Sequence, residues 1–364
     1  MKKLIYSYVL LFCVSSFLNA QIKSIEWAVL KTYDQNHTDR IAMPIGGIGT
    51  GTISLRGYGA LIDWEVMSRS AKGYNPLYAG VEVINRAPFF SIYIKEENKD
   101  AQALILEAPV PTRFDDGFYS SKAPNHGLPR FSESTFQKAY PFGQVLLKNK
   151  GLPVEITVGA FNPFIPGNAE DSSLPMAVLS YKVKNTSEKP ITISLAGNIP
   201  NFIGFDSKEG KAYQNINAYK EENGLKRMHY TANKEIEKES TQWGTFSLVT
   251  NNDGEVSHRT ALKPGEWGKS TLEFWDDYAD DGLLQERISD QKNNMESLAV
   301  KTTLAPNKEK NIRFFVTWKF PNRPAWGNTK YNVGNYYATQ NVDSWEVAQK
   351  NITRIKHEKT NLKD

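Results

Sequence analysis

Short runs of β-branched and aromatic residues recur along this chain, and turn chemistry separates them where helices could have stood. Val154-Glu155-Ile156-Thr157-Val158 alternates apolar and polar as a half-buried strand does. Val81-Glu82-Val83-Ile84 and Phe89-Phe90-Ser91-Ile92-Tyr93-Ile94 flank a turn at 85–88. Residues 176–183 and 191–195 flank the polar connection 184–190. Residues 245–250 and 256–259 flank a segment containing Asp253-Gly254, a hairpin signal. Residues 300–304 and 312–318 enclose another turn at Ala305-Pro306-Asn307-Lys308. No sustained helical period shows before about residue 335. Hairpin after hairpin without crossover helices predicts an all-β fold, a large antiparallel two-sheet β-sandwich. Trp345, Ala348, Ile352 and Ile355 then fall three or four apart with polar residues between them. That spacing predicts one amphipathic helix, capped by Asp343 or Ser344. The helix either folds back on the sandwich or begins a further domain. The expected division is 1–20, 21–334 and 335–364.

The first twenty residues have the form of an export signal. Lys2 and Lys3 precede an apolar stretch at 4–17, and Asn19-Ala20-Gln21 offers a small-residue cleavage point. Cleavage after Ala20 predicts a secreted or periplasmic chain. The only cysteine, Cys13, would leave with the signal, so the mature chain could form neither a disulfide nor a Cys-ligated zinc site. Lys+Arg 44 against Asp+Glu 40 is too balanced for a dedicated nucleic-acid binder. Past the leader, no stretch is long and apolar enough to span a membrane as a helix. Aromatics reach 12%, which suits sheet packing and sugar-stacking surfaces alike.

Met43-Pro44-Ile45-Gly46-Gly47-Ile48-Gly49-Thr50-Gly51-Thr52 is the most distinctive segment. It lacks the Lys of a phosphate loop, and strand patterns flank it on both sides, so nucleotide binding is disfavoured. A tight irregular strand shaping a crevice is expected. Asp63-Trp64-Glu65 follows it. Those residues would suit a sugar-stacking platform; they would also suit a strand with Trp64 buried and the acids outward, the commoner arrangement. Asp115-Asp116-Gly117 and Trp275-Asp276-Asp277-Tyr278-Ala279-Asp280-Asp281-Gly282 gather carboxylates with aromatics. Glycoside hydrolysis uses two carboxylates about 5–9 Å apart, and solvated loop acids or helix caps have the same composition. None of His37, His126, His229, His258 and His357 stands in a metal-binding spacing, and no Gly-x-Ser-x-Gly elbow occurs. Neither a metal nor a cofactor is expected. The candidate substrate contacts are Asp63, Trp64, Glu65, Trp275 and Asp276, and no catalytic residue is assigned.

The Gly-rich segment with Arg56-Gly57 resembles the opening motif of glycoside hydrolase family 116, which includes non-lysosomal glucosylceramidases and bacterial β-glucosidases. Phe161-Asn162-Pro163-Phe164-Ile165-Pro166 followed by Asp171-Ser172-Ser173-Leu174-Pro175 is similar to a later segment of that family. So are Val183-Lys184-Asn185-Thr186-Ser187, Trp275-Asp276-Asp277-Tyr278, Asp281-Gly282 and Leu304-Ala305-Pro306. Thr317-Trp318-Lys319-Phe320-Pro321-Asn322-Arg323 and Trp345-Glu346-Val347-Ala348 complete the series, in the family's order. The resemblance implies a β-sandwich N-terminal domain whose partner is an (α/α)6 barrel. That barrel carries the nucleophilic Glu and acid/base Asp of a retaining mechanism, and no position here matches those motifs. It therefore implies a domain inactive alone, with a β-glucoside or oligosaccharide as ligand. Many members have an Arg-Trp pair where this chain has Asp63-Trp64-Glu65, a departure that points away from a ceramide-type aglycone and towards soluble or polysaccharide-derived glycosides. Two other functions suit the same residues: a stand-alone carbohydrate-binding module, or a subunit that pairs through Trp345, Ala348, Ile352 and Ile355 with a separately encoded barrel.

Overall fold

The alternation read along the strands resolves into two stacked antiparallel sheets. The computed structural model describes residues 30–68, 88–109, 125, 127–205, 213–263, 269–290, 292, 294–326 and 328–355. The export signal with Cys13, the strand at 81–84, Asp115-Asp116-Gly117, His126, His357 and the polar tail lie outside the described residues. Residues 32–364 form one compact unit, which the account below concerns.

The larger sheet has nine strands, numbered along the chain. Its spatial order is β1 (Lys31–Tyr33), β7 (Glu133–Ala139), β8 (Phe142–Lys148), β9 (Val154–Phe161), β10 (Met176–Asn185), β17 (Glu309–Lys319), β14 (Thr245–Thr250), β13 (Leu225–Thr231) and β12 (Ile216–Glu222). The second sheet has five strands, in the order β15 (Glu255–Arg259), β16 (Met295–Leu304), β11 (Ile191–Pro200), β5 (Phe89–Glu96) and β6 (Gln102–Ile105). Pairing is antiparallel from β7 through to β12 and throughout the second sheet. Beyond the two sheets of the expectation, β2 (Ala42–Ile45), β3 (Thr52–Arg56) and β4 (Leu61–Glu65) form a three-stranded sheet, and β18 (Pro324–Ala325) with β19 (Asn328–Asn332) forms a hairpin.

Period-two alternation decides which residues meet. Ala177, Leu179, Tyr181 and Val183 of β10 join Phe314, Val316 and Trp318 of β17 in the interior. Ile191, Ile193, Leu195 and Ile199 of β11 and Leu298 and Val300 of β16 come from the second sheet to the same cluster. Each fully buried aliphatic or aromatic side chain stabilises the fold by about 1.5–3 kcal/mol.

The opposite faces are also apolar in part, and each receives a helix. Met176, Val178, Val249 and Phe315 on the outside of the nine-stranded sheet take Trp345, Val347, Ala348 and Ile352 of α3 (Ser344–Ile355). The C-terminal helix thus folds back on the sandwich, the first of its two expected placements. Phe89, Tyr93, Ala196 and Ala299 on the outside of the five-stranded sheet take Phe274 and Tyr278 of α2 (Lys269–Asp281). This second helix corrects the expectation of no helix before residue 335 and of an acidic loop at Trp275-Asp276-Asp277-Tyr278. Its buried residues Ser270, Phe274 and Tyr278 are spaced four apart, but acidic residues crowd its C-terminal turn, where the helix dipole disfavours them. Arg259 compensates from β15. Its guanidinium is fully buried, donating to Glu273 at 2.8 Å and to Asp277 at 2.6 Å. Tyr278 Oη donates to the Ser194 carbonyl at 2.6 Å, fixing the helix to β11.

Candidate functional site

The Gly-rich segment is the turn between β2 and β3, and the other segments that carried the resemblance assemble around it. Trp318 Nε1, at the end of β17, donates to the Thr50 carbonyl at 2.7 Å. Asn162 Nδ2, just beyond β9, donates to the Gly46 carbonyl at 2.8 Å. Ile48 N donates to the carbonyl of Ser172, in the short helix α1 (Ala169–Ser172), at 2.7 Å. Two glycines are required by approach distance. A Cβ on Gly46 would lie 2.7 Å from the Trp318 ring, and φ there is +105°. A Cβ on Gly47 would lie 2.2 Å from the Leu174 carbonyl oxygen. Only glycine lets these backbones meet.

Two of the turn's donors are already engaged within the protein. The N–H groups of Ile48 and Thr50 donate to the carbonyls of Ser172 and Gly47, which removes two donors from the row that a phosphate site would use. The turn builds a rigid corner at one end of the sandwich. The tip of that corner is apolar and exposed. Ile48 is 47% exposed, and Tyr140, Phe164 and Ile165 are exposed beside it, with the Tyr140 and Phe164 rings 6.1 Å apart. Ser172 ties the patch together, since its Oγ accepts from Ile165 N at 2.9 Å while its carbonyl accepts from Ile48.

Trp318 also leads into the β18–β19 hairpin. Asn322 Nδ2 roots that hairpin on the carbonyls of Lys238 at 2.6 Å and Ser240 at 2.8 Å. Asn332 Nδ2 donates to Asn322 Oδ1 at 2.8 Å, and Asn335 Nδ2 to the Phe320 carbonyl at 2.8 Å. From this fixed base Trp326 projects with 103% relative exposure, and Tyr331, Val333 and Tyr336 are exposed along the same segment. Trp is highly buried on average, so a fully exposed one on a pinned hairpin is a displayed side chain.

The residues singled out by sequence fall in two separate places. Asp63, Trp64 and Glu65 lie on β4. Trp64 is 2% exposed, packs edge-on against Phe202 at 5.7 Å and donates to the Leu61 carbonyl at 3.3 Å. Trp64 is buried as the strand reading expects, but Asp63 is buried as well, where that reading turned both acids outward. Asp63 is buried with φ 52°, and the carbonyl of Glu65 packs against Gly51. Trp275 and Asp276 lie on α2, Trp275 half-buried against the cluster of Phe89 and Phe274, and Asp276 exposed. Trp64 belongs to the inter-sheet core and Trp275 to the opposite face of the five-stranded sheet, so the two groups do not form one site. Asp277 is occupied by Arg259 and by Gln285 N at 3.0 Å.

The carboxyl groups with raised pKa values are interior ones. Burial pushes Glu107 up, with Arg130 only partly opposing it. Burial holds Glu296 well above the usual carboxylate range. Both are buried, Glu296 completely, so neither can protonate a leaving group in a solvent-filled cleft. Among the described residues no cluster of three or more His, Cys, Asp or Glu could hold a metal ion, and no helix is long and apolar enough to cross a membrane. Sequence reasoning missed Trp326 as a displayed residue. The available signal was its place in sequence, between Pro324 and Gly327, residues that interrupt a long strand.

A polysaccharide lyase structure matches 78% of the chain at 11% identity with a TM-score of 0.36, and the match spans 32% of that protein. A candidate kojibiose phosphorylase from the human microbiome matches 90% of the chain at 9% identity with a TM-score of 0.34, spanning 28% of that protein. The chain therefore spans a third or less of the length of these two structures. The family model described as beta-glucosidase 2, glycosyl-hydrolase family 116 N-term, matches residues 42–358. That range takes in the Gly-rich turn, both strands that brace it, the aromatic hairpin and the C-terminal helix, and the chain belongs to glycosyl-hydrolase family 116 as its N-terminal domain.

Proposed function

We propose that this chain is the non-catalytic sandwich domain of a secreted retaining glycosidase acting on β-glucosides, and that it seats an (α/α)6 catalytic domain. The supporting observation is the corner built by the Gly-rich turn. Trp318, Asn162, Ser172 and Leu174 lock it rigidly, yet Ile48, Tyr140, Phe164 and Ile165 face solvent at its tip. A braced scaffold with an apolar rim suits an interdomain surface. The strongly perturbed carboxyls of this chain lie in its core, which suits a supporting role better than acid–base chemistry.

The test is direct. Residues 21–364 should not hydrolyse an aryl β-glucoside, and should bind a family 116 catalytic domain supplied separately. Hydrolysis abolished by removing one of this chain's own carboxylates would overturn the proposal. Export is tested by fusing residues 1–25 to a reporter in a bacterial host and locating the cleaved product.

A second reading, a carbohydrate-binding module, is favoured by Trp326 alone. Titration with cello-oligosaccharides decides it, since stacking on an exposed indole changes Trp fluorescence.

A further inference from the structure

The seat of α3 contains a histidine, His229, joined to the first residue of the helix through Ser247. On the outer face of the nine-stranded sheet, His229 of β13, Ser247 of β14 and Thr317 of β17 stand in register across three neighbouring strands. All three join one network at the first residue of the helix. His229 Nδ1 lies 3.0 Å from Ser247 Oγ, and Ser247 Oγ lies 2.9 Å from Ser344 Oγ. Thr317 Oγ1 donates to the Ser344 carbonyl at 2.7 Å, and Ser344 N donates to Thr245 Oγ1 at 3.0 Å. Ser247, Thr317 and Ser344 are completely buried, so water cannot replace a lost partner there.

One register step away, the contact turns apolar and aromatic. The Arg227 guanidinium stacks 3.9 Å above the Trp345 ring, and Trp345 Nε1 donates to Glu222 at 3.2 Å. The first turn of α3 is therefore held by a polar row that ends on an imidazole and by a cation–π contact beside it.

We propose that His229 is an acid-sensitive latch for α3: with the imidazole neutral the polar row holds the start of the helix, and protonation releases the helix from the sheet. A neutral imidazole can accept from Ser247 at Nδ1, letting both serine hydroxyls point towards it. A protonated imidazole must donate there, so the Ser247 hydroxyl loses its acceptor and one of the two serine hydroxyls must find another in a buried site. Burial opposes the protonated form most, and the charges around it divide. Arg227 on the same strand and Lys220 on β12 oppose a positive imidazole, and Asp343 before the helix favours it. The result is a pKa lowered from 6.5 to about 4. Glu222 of β12 is engaged by Trp345, and Lys319 of β17 donates to the Val342 carbonyl next to Asp343.

The sign follows from linkage. A histidine whose folded pKa is lowered binds its proton more readily once the helix has lifted and exposed it. Opening is therefore unaffected above pH 6.5 and is favoured progressively as pH falls towards about 4. Across that window the opening constant should rise by about tenfold per pH unit.

The experiment is hydrogen–deuterium exchange on residues 21–364, corrected for intrinsic exchange rates, from pH 7 to pH 4. The expected result is a selective loss of protection in Ser344–Ile355 amides while β10 and β17 keep theirs, and its absence in H229N, whose amide can mimic neutral Nδ1. An NMR titration of His229 in the unaltered chain gives a second readout, the imidazole titrating together with the α3 amide shifts. Helix protection that does not change with pH, an unchanged loss in H229N, or an imidazole that titrates without moving α3 would each overturn the proposal.

Discussion

The indole N–H of Trp318 meets the carbonyl of Thr50 at 2.7 Å, across 268 positions of chain. Few contacts in the molecule join residues so far apart, and this one closes the Gly-rich corner against the end of β17.

Trp318→Phe should keep most of the packing and lose that bond. The Thr50 carbonyl would stay buried without its donor, a cost of about 1–3 kcal/mol. Urea denaturation should show a lower midpoint with an unchanged slope, and exchange should accelerate in residues 46–52. A midpoint equal to that of the parent would mean that the corner holds itself. Gly47→Ala probes the same corner from the other side. Its methyl would stand 2.2 Å from the Leu174 carbonyl oxygen and should destabilise the fold more than Trp318→Phe does.

Arg259 should matter for stability and not for sugar chemistry. Its guanidinium is fully buried between Glu273 and Asp277, and its Nε donates to the Gln285 carbonyl at 2.8 Å. Removing one partner of a buried pair costs about 3–5 kcal/mol. Arg259→Ala should lower the thermal midpoint strongly and release α2. Asp276→Asn, one residue from the network on the exposed side, should leave the midpoint within experimental error. If the two variants behaved alike, the helix would not depend on this cluster.

How far the sequence foretold these features differs by element, for physical reasons. Strands such as β9 and β10 were legible because alternation marks a half-buried sheet face. The helix α3 was legible because Trp345, Ala348 and Ile352 share one face. The helix α2 was not, because its short apolar stripe of Phe274 and Tyr278 is surrounded by acids that only become favourable once Arg259 arrives from another strand. The same holds for the site. The Gly-rich turn stood out, but its partners Trp318, Asn162 and Leu174 lie more than a hundred residues away, and one-dimensional spacing says nothing about such meetings. At Trp64 the general tendency of Trp to be buried decided correctly between two readings, its ring serving the core against Phe202, while the burial of its neighbour Asp63 was not foreseen.

Trp326 provides a clean separation of surface from stability. With 103% exposure its ring makes little contribution to the core, so Trp326→Ala should change folding free energy by less than about 0.5 kcal/mol. Association with a separately supplied catalytic domain, or binding of an oligosaccharide, should fall at least severalfold if the hairpin takes part. Isothermal titration of both ligands against the variant distinguishes the two uses. Affinities unchanged for both would remove the hairpin from the functional surface.

Glu296 should make stability depend on alkalinity. Its side chain is completely buried on β16, neither carboxyl oxygen has a hydrogen-bond partner, and the buried hydroxyl of Tyr230 likewise lacks one. Burial, with a smaller contribution from the Glu286 carboxylate, holds its pKa well above 4.5. The folded state therefore keeps the carboxyl neutral while the unfolded chain ionises it. A raised folded pKa gives a contribution fully present below about pH 4.5 and lost as pH rises towards the folded value. Glu296→Gln keeps the shape and removes the ionisation, so the thermal midpoint of the variant should gain on that of the parent steadily as pH increases from 5 to 8. Parallel curves for the two proteins would show that Glu296 is already ionised in the folded core.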